Sequence, residues 1–249
     1  MNNEQSSGSN GNKRPFLDHL EAYLARRDGV DKALKILRYS SKVWLATPLL
    51  VQLSDPDVVR KVRNFESSVG TSRKAFRLGK FIQDVNALRR APSVTTRDGF
   101  LEFVATAGEG VYYFVEQFVW LMKAGAIDKR HAKQLLKWSA WAEFIGYLGS
   151  VTLKSLHVST FLEQEAELKK ILDSRENGTE RRVQASRKLK TLQAKRFMKT
   201  LSLIQDLSDS LLALNDITDG QGVLARPFLL ALAGLVSALI STHKNWENC

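Results

Sequence analysis

The chain has 249 residues, 44% of them hydrophobic, enough for a sizeable core, and its formal charge of +11 points to an anionic partner such as nucleic acid or acidic lipid headgroups. Its one cysteine, Cys249, excludes an internal disulfide or a thiolate zinc cluster and fits a reducing compartment. A mean hydropathy of −0.21 excludes a chain folded mostly inside lipid, so membrane contact is expected to be local.

Residues 1–13, MNNEQSSGSNGNK, are polar and read as a disordered tail without the apolar stretch of a signal peptide. Asn2 stands where myristoylation needs glycine, Cys249 is misplaced for prenylation, and the ending NWENC is not a serine-lysine-leucine peroxisomal address. From residue 15 to 46 the apolar positions Phe16, Leu20, Tyr23 and Leu24 recur at helical spacing. Asp28 and Gly29 interrupt them, and Val30, Leu34, Leu37 and Val43 resume the pattern, with Asp28 or Asp31 as the expected cap. Asp55 before Pro56 starts a further helix. No segment shows a sustained alternating strand pattern, so the fold class is all-α.

Residues 69–90 contain SRKAFRLGKF, which mixes cations with bulky apolar groups. On a wheel of about 100° per residue, Ala75, Leu78, Phe81, Ile82, Val85 and Leu88 share one arc, and Arg73, Arg77, Lys80 and Asp84 form a separate polar stripe. Lys74 falls inside the apolar arc and Phe76 outside it. A single amphipathic helix is expected here, with Arg73, Lys74, Phe76, Arg77, Leu78, Lys80, Phe81, Ile82, Val85 and Leu88 as the membrane-binding candidates. The apolar face supplies burial and the cations attraction to an acidic surface.

Three later stretches are candidates for immersion. Phe100 to Met122 is long enough, but Glu102, Glu109 and Glu116 are seven apart on one stripe, and a carboxylate at the bilayer centre costs about 3 kcal/mol. Such a stripe has to face water or pack against cations from another helix. Trp138 to Leu153 has Glu143 as its one acid and carries Ala142, Gly146 and Ser150 at the small-residue spacing that lets helices approach. Val223 to Thr242 is the best span. Its uninterrupted part, Pro227 to Ile240, covers roughly 21 Å of a core of about 30 Å, with Arg226 at one end and His243, Lys244 and Trp246 at the other. Residues 158–200 are acidic first and basic later, yet Leu189, Leu192, Phe197, Leu201, Ile204, Leu207 and Leu211 keep near-helical spacing. They are expected to form a charged linker leading into a second basic amphipathic helix.

Catalytic chemistry has no visible constellation. His19, His131, His157 and His243 lack metal-ligand spacing, GEG at 108–110 is too short for a dinucleotide loop, and DITDGQG at 216–222 lacks the alternating ligands of a calcium loop. Neither an enzyme activity, a cofactor nor a metal is assigned. A membrane surface accounts for the basic amphipathic helix and the C-terminal apolar segment together. The rival readings are a helical membrane channel or transporter that uses the glutamate stripe, and a soluble basic helical nucleic-acid binder that lacks any recognition motif.

Four blocks, YLARRDGVDKALKILRYSSK (23–42), FESSVGTSRKAFRLGKFIQDVNALR (65–89), GEGVYYFVEQFVWLMKAGAID (108–128) and GVLARPFLLALAGLVSALISTHKNW (222–246), resemble the peroxisomal membrane protein 11 family, plant members most of all. The resemblance runs in order through everything after residue 13. It implies a peroxisomal membrane protein that elongates the organelle before fission by inserting an amphipathic helix into the cytosolic leaflet, at positions matching Arg73, Lys74, Arg77 and Lys80 and their apolar neighbours. It also implies self-association, an acidic phospholipid membrane as partner, and co-operation with a fission adaptor and a dynamin-related GTPase. The ending ENC departs from the dilysine signal of some relatives. The expected organisation is a cytosolic amphipathic region over 14–98, a membrane-associated helical hairpin over 99–157, the charged linker or helix over 158–200, and a C-terminal helix and membrane segment over 201–249.

Overall fold

The computed structural model describes residues 15–91, 94–173, 179–222 and 225–249; the tail expected over 1–13 lies outside them. The described residues are helical and contain no strand. In chain order the helices are α1 (Phe16–Leu24), α2 (Arg27–Leu45), α3 (Pro48–Leu53), α4 (Pro56–Phe76), α5 (Phe81–Arg90), α6 (Arg97–Lys123), α7 (Ala132–Asp173), α8 (Thr179–Ile217) and α9 (Pro227–Glu247), with a 3₁₀ turn at Lys129–His131 before α7.

Local chemistry sets several of the starts. Asp55 caps α4 by accepting from the backbone N–H of Asp57 at 2.7 Å, with Pro56 in the first turn. Thr96 caps α6 through Gly99 N–H at 3.1 Å, and Pro227 opens α9. Two expected boundaries are corrected. The first break falls at Ala25 and Arg26, where Arg26 is extended, so Asp28 and Asp31 lie inside α2 and cap nothing. Gly29 sits there because α1 turns back on it: a Cβ would stand 1.9 Å from the Tyr23 carbonyl oxygen. The second break divides the helix expected over 69–90 into α4 and α5, because Gly79 adopts φ +74, a conformation that L side chains disfavour.

The long helices close a ring in which α2 packs on α4 and α9, α9 on α8, α8 on α7, α7 on α6, and α6 on α5 and α4. The α6–α7 seam depends on small residues. Gly108 lies against Gly146 and the Ala142 carbonyl, and Gly149 against the backbone of Leu101 and Ala105. Of the spaced small residues in 138–153, Gly146 therefore faces α6, whereas Ser150 bonds Asp206 of α8. Residues 158–173 and 179–200 are the outer ends of α7 and α8, an antiparallel two-helix arm pinned by Arg196 Nε donating to Glu165 Oε1 at 2.7 Å. Helix α1 covers the end of α9. Phe16, His19 and Tyr23 surround the Trp246 ring, and the His19 ring contacts the Trp246 carbonyl at 3.0 Å.

The ring is built with its polarity reversed. On α6 the exposed Phe100, Phe103, Val111, Phe114 and Phe118 share an arc of about 80°, and Glu102, Glu109 and Glu116 lie roughly opposite, lining an interior cavity of about 760 Å³. On α7, Trp138, Trp141, Ile145 and Leu148 point outward, and Glu143, Tyr147 and Lys154 line the cavity. On α8, Ile204 and Leu207 are exposed while Asp206 and Asp209 are buried. Helix α9 turns Leu229, Leu232, Val236 and Leu239 outward and buries Ala231, Gly234, Ser237 and Ser241. It is the one described helix long and apolar enough to cross a membrane, and only 33% of its apolar window is buried, unlike the core helix of a water-soluble bundle.

Gly108→Leu tests the seam, because its Cβ would stand 2.6 Å from the Ala142 carbonyl and from Gly146 Cα. Backbone cannot yield as a side chain does, so a loss of about 3 kcal/mol is expected. Thermal unfolding of the purified protein in detergent reads it, and a wild-type melting temperature would refute the close approach.

Candidate membrane-active site

The candidate residues lie at the junction of α4 and α5, and the ring decides which way each of them points. Arg73, 4% exposed, donates from Nε to Asp31 Oδ1 at 3.0 Å. One turn later Arg77 reaches both Asp31, at 3.3 Å, and Glu116 of α6, at 3.3 Å, and donates to the Tyr112 hydroxyl at 3.0 Å. Lys74 pairs with the same Glu116. Lys80 faces Asp28 at 3.5 Å and stands 4.7 Å above the Tyr113 ring. The three cations of the predicted polar stripe, Arg73, Arg77 and Lys80, and Lys74 from the predicted apolar arc are therefore all turned into the bundle, onto acids from α2 and α6. A deeper cluster continues the network, in which Lys35 donates to Asp209 at 2.9 Å and to the Ser237 hydroxyl at 2.6 Å, tying α2 to α8 and α9.

The apolar members divide. Ile82 and Val85 are 53% and 47% exposed, and Phe76 is also exposed at the end of α4. Leu78, Phe81 and Leu88 are half-buried. Phe81 packs edge-on against Phe114 of α6 at 5.4 Å, and the Leu78 carbonyl accepts from Arg27 at 2.8 Å. The structure thus brings together the ten residues singled out in the sequence, but with the cations inside and a short apolar edge outside.

Burial opposes ionisation of Asp31, yet the neighbouring Arg77 and Arg73 guanidiniums outweigh it and hold the carboxyl well below the usual carboxylate range. Asp84 of α5 moves the other way. Partial burial, then the charge of Glu109, push it up to about 6 against the pull of Lys80, and its Oδ2 has no hydrogen-bond partner among the described residues. Asp31, Glu116, Lys35 and Asp209 were not identifiable as functional from the sequence. The one available signal was the seven-residue spacing of Glu102, Glu109 and Glu116, which requires cations or water opposite.

Two outcomes follow from these charges. Asp31→Asn leaves the Arg73 guanidinium without its buried acid and Arg77 with Glu116 alone, and is expected to cost about 3–5 kcal/mol in unfolding experiments. In the wild type the Asp31 contribution is fully present above its ordinary value of 3.8 and is lost only as pH falls through the depressed folded value, so the fold is expected to persist at pH 4. For Asp84 the sign is reversed, since ionisation costs stability as pH rises from 3.8 and the cost is complete above about 6. Asp84→Asn is therefore expected to protect α5 from hydrogen exchange at pH 7.5, by roughly 1 kcal/mol after allowing for its part-exposed position, and to make no difference near pH 4.

A family model described as peroxisomal biogenesis factor 11 (PEX11) matches residues 17–246. Peroxisomal membrane protein 11A of Arabidopsis thaliana is 47% identical over 236 residues, covering 95% of this chain and 94% of its own length. Peroxisomal membrane protein 11-3 of Oryza sativa subsp. japonica is 48% identical over 236 residues, covering 95% and 91%. Peroxisomal biogenesis factor 11 of Schizosaccharomyces pombe is 25% identical over 254 residues, covering 94% and 96%. No solved structure matches the chain. A helical ring with an apolar exterior, matched over nearly its whole length by these proteins, places the chain in the peroxisomal biogenesis factor 11 family.

Proposed function

We propose that this peroxisomal membrane protein elongates the membrane with a wedge bolted to an embedded helical bundle. The outward Phe, Trp, Leu and Val side chains of α6, α7 and α9 meet acyl chains, which favours them by up to about 1.5–3 kcal/mol for each fully buried side chain. Helix α5, ten residues and about 15 Å long, lies on the outside of α6 and offers Ile82 and Val85 to one leaflet. Material added at shallow depth expands that leaflet relative to the other, and the membrane curves.

The observation that carries this reading is the opposed placement of the cations and the apolar edge on α4 and α5. Arg73, Lys74, Arg77 and Lys80 grip Asp31, Glu116 and Asp28, so they anchor the wedge and do not need to meet lipid headgroups. Attraction to an acidic phospholipid surface is left to exposed cations nearby, Arg89 and Arg90 on α5 and Arg60, Lys61 and Arg63 on α4, at about 1 kcal/mol each near an acidic surface. Self-association and hand-over to a fission adaptor and a dynamin-related GTPase complete the proposal on the strength of the family. No catalysed reaction enters it.

The test is vesicle tubulation by full-length protein. Ile82→Ser with Val85→Ser is expected to abolish most tubulation while leaving helix content and melting temperature unchanged, and undiminished tubulation would remove the wedge. Exchanging Arg73, Arg77 and Lys80 together for Glu is expected to unfold the bundle, visible as lost helical circular dichroism; a stable, folded triple variant would contradict the anchoring role.

A further inference from the structure

We propose that Lys154 of α7, Lys199 of α8 and Lys244 of α9 form a binding site for a phosphate-bearing anion, with an acidic phospholipid headgroup as its source. All three line the interior cavity, although they come from three different helices. Lys154 and Lys199 stand close enough to Lys244 for their charges to act on it. The nearby acids that balance them are Asp206, already occupied by Lys154 and by the Ser150 hydroxyl, and Asp209, already occupied by Lys35 and by the Ser237 hydroxyl. Lys244 donates only to the neutral Gln205 side chain, at 3.2 Å, and Lys199 has no hydrogen bond or ion pair among the described residues. His157, on the same face of α7 as Lys154, is engaged by Asp98 at 3.7 Å.

Three ammonium groups opposite Asp206, with Asp209 already held by Lys35, are an unfavourable arrangement where water is scarce, and an anion placed between them relieves it. A phosphate monoester carries close to two negative charges and accepts from several lysines as point donors. Depth favours a lipid. Lys244 follows the apolar run Pro227–Ile240 by one turn and precedes Trp246, which puts it at headgroup level if α9 crosses the bilayer. The site deepens the proposed function and rests on that reading of α9, since it names phosphate monoester lipids as those the bundle retains. The network at α4 and α5 plays no part in it.

The experiment uses full-length protein reconstituted in phosphatidylcholine vesicles doped with phosphatidic acid, then extracted in mild detergent for native mass spectrometry. Wild-type protein is expected to retain phosphatidic acid, and Lys199→Gln with Lys244→Gln to weaken retention at least tenfold, as loss of charge-assisted contacts predicts. Lys154 is left unchanged because it neutralises buried Asp206. Arg181→Gln with Lys188→Gln removes the same charge from the exposed arm and is expected to change nothing. Equal retention by wild type and by the Lys199 and Lys244 variant, or equal loss in the arm variant, would overturn the site. A second arm adds inorganic phosphate: displacement of the lipid at millimolar concentration assigns the site to soluble phosphate and overturns the lipid source, whereas persistence of the lipid supports it. Protein carrying Ile82→Ser and Val85→Ser is expected to keep its phosphatidic acid, so failure of the wedge and failure of the site are separately visible.

Discussion

Arg77, held between Asp31 of α2 and Glu116 of α6, is the contact on which the rest of the arrangement depends. A guanidinium cannot be deprotonated away, and a carboxylate removed from water needs compensation, so each member makes the others necessary. Arg73 and Lys74 extend the same exchange by one pair on either side. The effect is to fasten α2, the α4 end and α6 together, and to set the direction in which the α4–α5 junction faces. With those cations pointing inward, the turn at Gly79 sets α5 so that Ile82 and Val85 are exposed.

That inward commitment of charge explains why the bundle has so small an apolar core, centred on Val115, Val119 and Met122, and so much apolar surface. In water such a distribution would be costly on both sides. In lipid it is economical, because acyl chains solvate the aromatic outer faces and the interior supplies partners for Glu116, Asp206 and Asp209. Helices in lipid gain little from burying more hydrocarbon against each other, so close backbone approach carries the association. Gly108, Gly146 and Gly149 on α6 and α7, and Gly234 against the Tyr39 ring on α9, supply that approach.

Separating the anchor from the wedge has a mechanical consequence. A free amphipathic helix that used its own cations to reach the headgroups would insert and tilt independently of the protein. In α5 the apolar edge is carried on a rigid frame: Gly79 makes the turn, its N–H donates to the Gln117 side chain at 3.1 Å, and Phe81 keys into Phe114. On the proposed reading, displacement of lipid by α5 is coupled to the position of the whole bundle. Asp84, whose Oδ2 has no hydrogen-bond partner among the described residues and which is repelled by Glu109, is a weak point of that frame, where a proton changes how firmly α5 is held.

The sequence by itself determined the all-α class, the starts of α4 and α9 through Asp55, Pro56 and Pro227, and the apolar C-terminal helix. These are local properties, set by capping, periodicity and composition within a few turns. It misplaced the break before α2 and ran α4 and α5 together, because a close approach by Tyr23 and a left-handed Gly79 are visible only when the chain has folded back. Whether Arg73, Lys74, Arg77 and Lys80 meet lipid phosphates or protein carboxylates is also undecidable from spacing, since a helical wheel gives the angle between side chains and not what lies opposite. Asp31 lies 42 residues from Arg73, and Glu116 lies 42 from Lys74 and 39 from Arg77; only the closed ring of helices brings both acids within 3.3 Å of the Arg77 guanidinium.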